Sequence, residues 1–213
     1  MSMAMILVEH VSLTIGKAQI LRDVSAQFEE GQIHGIVGRN GSGKTMLMKC
    51  ICGFIRPTEG QIIVNGNRVG EDVDFPPDLG LLIETPGFVP YYSGLKNLTL
   101  LAAINRRASR ETLNACMEQL GLGSAKHKRV SKYSMGMRQR LGIAQAIMED
   151  PKLLILDEPL NGLDEQGVVE IRELLLELKR QGKAILLSSH NREDISLLCD
   201  MVFQMAGGVL TVP

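Results

Sequence analysis

The rhythm of apolar and polar positions changes along this chain. Residues 5–13 and 20–28 alternate or cluster apolar side chains and predict two strands, with Glu30-Gly31 as the turn after the second. Gln32 to Val37 is a short apolar strand feeding a glycine-rich loop. Thr45 to Gly53 then predicts a helix, with Met46, Leu47, Met48 and Ile51 apolar and Gly53 as its stop. Arg56 to Gly60 is a turn, Gln61 to Val64 a strand, and Asn65-Gly66 a tight-turn signal. From about residue 85 the β pattern fades, and the spacing predicts helices over 94–106, 109–121 and 135–149. After Pro151 the β/α alternation returns. Leu153 to Leu156 is a continuous apolar run, the pattern of a parallel strand buried on both faces. Asp164 can cap a helix to Arg180, with Val168, Ile171, Leu174, Leu175 and Leu178 on one face and Gly182 as its stop; Ala184 to Leu187 is another buried strand.

These elements predict one α/β domain over residues 1–213. Its core comes from 1–84 and 151–213: a mainly parallel sheet with an N-terminal antiparallel β part. Residues 85–150 form a helical subdomain inserted into it. Composition adds bounds. Of 213 residues 45% are hydrophobic and 22% charged, the balance of a globular domain and not of a disordered chain. Lys and Arg number 23 against 24 Asp and Glu, so the net charge of −1 argues against a broad nucleic-acid footprint. Aromatics are 4% and Trp is absent, leaving Leu, Ile, Val and Met to fill the core. The four cysteines, Cys50, Cys52, Cys116 and Cys199, lack metal-ligand spacing and suit a reducing compartment. The N-terminal stretch has no basic segment, and Glu9 interrupts its apolar run, so no signal peptide is expected. No apolar run approaches the ~18 residues of a membrane span, so a role at a membrane requires another subunit to hold the chain there.

Chemistry concentrates after the third strand. Gly38, Arg39, Asn40, Gly41, Ser42, Gly43, Lys44 and Thr45 fit G-x-x-x-x-G-K-S/T at every fixed position, between a strand and a helix as that motif requires. Glycines let successive backbone N–H groups point at phosphates, and the helix N-terminus adds partial positive charge. Lys44 is a point charge for the β- and γ-phosphates and the Thr45 hydroxyl an Mg²⁺ ligand, with Met46 next in the same segment. Hence the chain binds a nucleoside triphosphate. Leu153 to Leu156 ends in Asp157 and Glu158, where ligands sit in such sheets. Asp157 holds Mg²⁺ directly or through water, and Glu158 polarises an attacking water. Ser188-Ser189-His190 follows the last buried strand, placing a histidine where it can donate to a γ-phosphate or serve a structural role.

With these motifs in order, the chain resembles the nucleotide-binding subunit of ATP-binding-cassette (ABC) transporters over nearly its whole length. Tyr133-Ser134-Met135-Gly136-Met137-Arg138-Gln139-Arg140 resembles the family's signature segment, with Y-S-M-G-M in place of the usual L-S-G-G-Q. Asn161-Gly162-Leu163-Asp164 resembles the D-loop, and His190 the switch histidine. The resemblance implies ATP and Mg²⁺ as ligands and hydrolysis with Glu158, His190 and Lys44 as catalytic groups. It also implies a head-to-tail dimer, homomeric or of two similar cassettes, in which Ser134 and the Gly136 backbone grip the γ-phosphate bound to the other subunit. The dimer would drive an integral membrane permease from the inner face of the cell membrane.

Two departures from the family pattern stand out. Where the family places a Gln between core and helical subdomain, Leu82-Ile83-Glu84-Thr85-Pro86-Gly87-Phe88 offers Glu84, an oxygen ligand for Mg²⁺ or water that adds negative charge. With the Y-S-x-G-M-R-Q-R-L-G-I-A run, this resembles the bacitracin-resistance and lantibiotic-immunity branch. That branch implies export of a peptide antibiotic, a lantibiotic or another amphipathic compound, with an unrelated small molecule or a lipid as the alternative cargo. Where the family often stacks an aromatic ring on adenine, Ile15 stands, which keeps apolar contact and weakens purine selectivity. The alternative class is a soluble ABC ATPase of translation or repair, but those resemble tandem cassettes or carry long coiled-coil insertions, and these 213 residues show neither.

Overall fold

The computed structural model describes residues 4–84, 87–105 and 107–212. Thr85 and Pro86 of the segment around Glu84, and Arg106 at the expected end of a helix, lie outside them. Two sheets meet over a shared core. The first is antiparallel, order β2-β1-β4-β5, built from β1 (Ala4–Ile15), β2 (Ala18–Glu29), β4 (Glu59–Val64) and β5 (Asn67–Arg68). The predicted tight turn joins β4 to β5. Asn65 and Gly66 both take positive φ, 50° and 76°, as a two-residue hairpin matching the strand twist requires.

The second sheet has the order β10-β9-β3-β8-β7-β6. Its members are β3 (Ile33–Val37), β6 (Leu79–Leu82), β7 (Leu153–Asp157), β8 (Ala184–Ser188), β9 (Met201–Ala206) and β10 (Val209–Thr211). All its pairings are parallel except β9 with β10. The continuous apolar runs at 153–156 and 184–187 become its buried central strands. Alternate side chains divide between two cores. Leu154, Leu156, Ile185 and Leu187 join the core packed with most of the helices, whereas Leu153, Ile155, Ala184 and Leu186 join the core shared with the antiparallel sheet. A strand feeding two cores carries no polar face, which is why these runs show no alternation.

Between β6 and β7 lie α2 (Gly94–Asn105), α3 (Arg110–Gln119) and α4 (Met135–Ile147), linked by 3₁₀ turns at Gly123–Ala125 and Val130–Lys132. Leu98, Leu113, Met117, Leu122 and Leu141 pack this region into the same core as Leu156 and Leu187. Ser109, Ser134 and Asp164 cap their helices by accepting from the N–H three residues on. Helix α5 (Glu165–Arg180) buries Ile171, Leu174, Leu175 and Leu178, as its spacing predicts, and ends before Gly182. The elements without a sequence signal are short or half-exposed. They are the four-residue edge strand β6, the seven-residue helix α6 (Arg192–Leu198), and β9 and β10, whose inward positions are few. No cysteine forms a disulfide among the described residues, and burial pushes each of the four thiols up to about 12, so they pack as small apolar groups.

Candidate functional site

Strand β3 delivers the chain at Gly38 into a loop that ends where α1 (Lys44–Ile51) begins. Gly41 and Gly43 adopt φ of 76° and 115°, which a side chain would oppose, so the backbone curls back over the helix start. A cleft of about 420 Å³ opens there, lined by residues 40–46, Ile20, Asp157 and Glu158. Lys44 is almost fully buried, and its ammonium donates to Gly38 O at 2.8 Å and Arg39 O at 3.4 Å. The loop's own carbonyls thus hold the cation beside the cleft. Ser42 Oγ is buried in the same loop with no hydrogen-bond partner among the described residues.

Strand β7 reaches the cleft from the other side. Thr45 Oγ1 donates to Asp157 Oδ2 at 2.6 Å, and Ser188 Oγ donates to Asp157 Oδ1 at 2.5 Å. The parallel register setting Asp157 opposite Ser188 creates the second contact. A hydroxyl and a carboxylate oxygen in contact, in a cleft also lined by Ser42 with its orphan hydroxyl, are hard donors that fit Mg²⁺ with a phosphate; Thr45 and Asp157 would hold it.

Glu158 takes a left-handed backbone, φ 51°. Its N–H donates to Ser188 Oγ at 3.0 Å, and its Oε2 lies 2.9 Å from His190 Nδ1 and accepts from His190 N at 3.4 Å. The two predicted catalytic groups therefore form a pair. With Nδ1–H donated to the carboxylate, the outward Nε2 is the nitrogen left for a ligand. Gly38, Arg39 and His190 line an adjoining cavity of about 900 Å³ that shares Asn40, Gly41 and Ser42 with the cleft.

Not every predicted site residue converges here. Ile15, half exposed at the end of β1, does not line the cleft; Ile20 of β2 does. Glu84 also has a left-handed backbone, φ 58°, and pairs with Lys49 of α1 at 2.6 Å, not with Asp157. Ser134 and Gly136 line neither cavity. Ser134 is exposed at the start of α4, and Gly136 lies against the D-loop-like segment, where an added Cβ would stand 3.0 Å from Gly162 O. Sequence reasoning assigned no role to Ser188, Gln139, Lys49 or Ile20 at this site. Ser188 carried a signal as a polar residue at the end of a buried apolar strand, and Gln139 lay inside the signature-like run; Lys49 and Ile20 carried none.

Ser188 is fully buried and serves both carboxylate residues at once. Ser188→Ala strands the Glu158 N–H and removes a bond to a charged group, so unfolding stability should fall by about 2–3 kcal/mol. Urea titration measures it; a loss under about 0.5 kcal/mol would show that water replaces the hydroxyl.

The family model described as ABC transporter matches residues 21–161. The uncharacterised ABC transporter ATP-binding protein YybJ of Bacillus subtilis is 43% identical over 206 residues, covering 96% of this chain and 94% of that protein. The bacitracin transport ATP-binding protein BcrA of Enterococcus faecalis is 39% identical, over 95% of this chain and 66% of its own length. The lantibiotic transport ATP-binding protein SrtF of Streptococcus pyogenes is 34% identical, over 93% and 85%. Among solved structures, an ATP-binding subunit of an ABC transporter superposes with TM-score 0.87 at 26% identity, covering 98% of this chain and 90% of that one. A bacterial ABC transporter cassette solved as a dimer gives 0.88 at 22%, over 97% and 96%.

Proposed function

The chain belongs to the ABC transporter family as an ATP-binding subunit with ATPase activity, and from that premise we propose how it works and what it serves. Two cassettes close head-to-tail on two ATP molecules. Each site takes Lys44, Thr45, Asp157 and Glu158 from one chain and Ser134 and Gly136 from the other. One observation carries this reading: the first four converge on a single cleft, while Ser134 stands exposed and away from it. Lys44 meets the β- and γ-phosphates, and the loop N–H groups hold the rest of the phosphate chain. Mg²⁺, held by Thr45 and Asp157, would neutralise charge on the phosphate oxygens. Glu158 draws the proton from a water aligned with the γ-phosphorus. His190 anchors that carboxylate through Nδ1 and turns Nε2 to the departing phosphate. Glu84 must leave Lys49 before its oxygens can serve as ligands in this site.

Closing and reopening moves a separate membrane permease, which holds the cassettes at the cytoplasmic face. Among the described residues no helix is long and apolar enough to cross a membrane. The cargo we favour is a peptide antibiotic of the bacitracin or lantibiotic kind, exported. The names of BcrA and SrtF and the Glu84 variation support it. Cells expressing the chain with its permease should tolerate several-fold more bacitracin or lantibiotic than cells carrying Glu158→Gln. Equal tolerance with both chains present at the membrane would overturn the cargo reading and leave the ATPase intact.

A further inference from the structure

Gln139 lies one turn into α4, the helix that begins at Ser134. Its side chain leaves the helix and donates from Nε2 to two successive carbonyls, Glu158 O at 3.0 Å and Pro159 O at 2.9 Å. Glu158 O also accepts from Asn161 N at 3.2 Å. On the other side of the same residue, the Glu158 N–H is held by Ser188. The catalytic carboxylate thus sits on a backbone gripped at both ends, in a left-handed conformation that a non-glycine residue does not hold unaided. A second contact ties the same pieces: Met135 and Gly136 pack against Gly162, four residues beyond Glu158.

We propose that Gln139 is a positioning residue for Glu158, fixing the turn after β7 so that the carboxylate faces the cleft. Because Ser134 caps the helix that carries Gln139, this bond joins the helix end that would grip a partner's nucleotide to the base that serves its own. A shift of α4 on closure therefore reaches Glu158 directly, through one side chain. The inference rests on Glu158 being the base, as read above.

Gln139→Leu keeps side-chain bulk and deletes the donor. Steady-state ATPase kcat should fall about 10-fold, with KM for MgATP within about two-fold, since no atom of Gln139 lines the cleft. A residue that merely supports the fold would show a changed melting point or KM instead; here both should stay near wild type. If the Leu variant does not fold, Gln139→Met, unbranched and of similar length, takes its place. The decisive comparison is made in the Glu158→Gln background. There the Gln139 substitution should cost no further residual activity, because its effect runs through the carboxylate already removed. An unchanged kcat in the single variant, or the same fold-loss in both backgrounds, would overturn the proposal. Should Glu158→Gln itself hydrolyse at the wild-type rate, the assignment of the base fails first, and the two failures are told apart.

Discussion

Lys44→Ala should lower affinity for ATP by about 100-fold or more, equivalent to about 2.7 kcal/mol. The ammonium is held in place before nucleotide arrives: nearly buried, it lies against Gly38 O and Arg39 O. The loop's other cation, Arg39, lines the adjoining cavity and not the cleft. A single cation therefore supplies the charge-assisted bonds to the phosphates, each worth about 1.5–3 kcal/mol. Lys49, the next cation along α1, is held by Glu84 at 2.6 Å. The cost to the fold is small by comparison, because Gly38 and Arg39, whose carbonyls are freed, line the open adjoining cavity where water can reach them. Calorimetric titration with a non-hydrolysable ATP analogue measures the effect, with thermal unfolding as the control for folding. Unchanged affinity would mean that nucleotide binds elsewhere.

The sequence made the phosphate loop and the acidic strand end legible for a local reason. Gly38 to Thr45 is contiguous, and Asp157 and Glu158 directly follow an apolar run whose burial on both faces fixes where it ends. Contacts that orient those groups were not legible, because each depends on register between distant segments. Ser188 meets Asp157 across 31 positions, through parallel pairing of β7 and β8 that no spacing encodes. Lys49 meets Glu84 across 35, and Gln139 meets Glu158 across 19. Ile15 and Ile20 illustrate the same limit. Both are isoleucines on the β1–β2 hairpin, and only the way the hairpin lies over α1 decides that Ile20 lines the cleft. The missed elements follow a different rule. Edge strands β6 and β10 and the short α6 bury too few side chains to impose a period, so only their pairing and packing reveal them.

Glu158→Gln should reduce ATP hydrolysis by about 10²–10⁴-fold while leaving ATP binding intact, and should convert the chain from monomer to dimer in MgATP. The two side chains are nearly isosteric, and an amide oxygen can still accept from His190 Nδ1–H, so the pairing at 2.9 Å and the turn after β7 survive. The base does not: an amide takes no proton from water at neutral pH. The oligomeric consequence follows from charge. Without nucleotide, closing the seam would bring Asp157 and Glu158 of each cassette against the other chain with only Thr45, Ser188 and His190 as partners, and desolvating such carboxylates costs more than those contacts return. In the proposed dimer with MgATP in place, the phosphates would meet Lys44 on one side and Ser134 and the Gly136 N–H on the other, so nucleotide would become part of the interface. In the wild-type chain hydrolysis would end that state; in the variant it should persist. Light scattering on Glu158→Gln with and without MgATP should report a doubling of mass with nucleotide, and Ser134→Arg in the same background should abolish it. A variant that binds MgATP fully and stays monomeric would count against a site shared between chains, and would place the second cassette's capture under the permease's control.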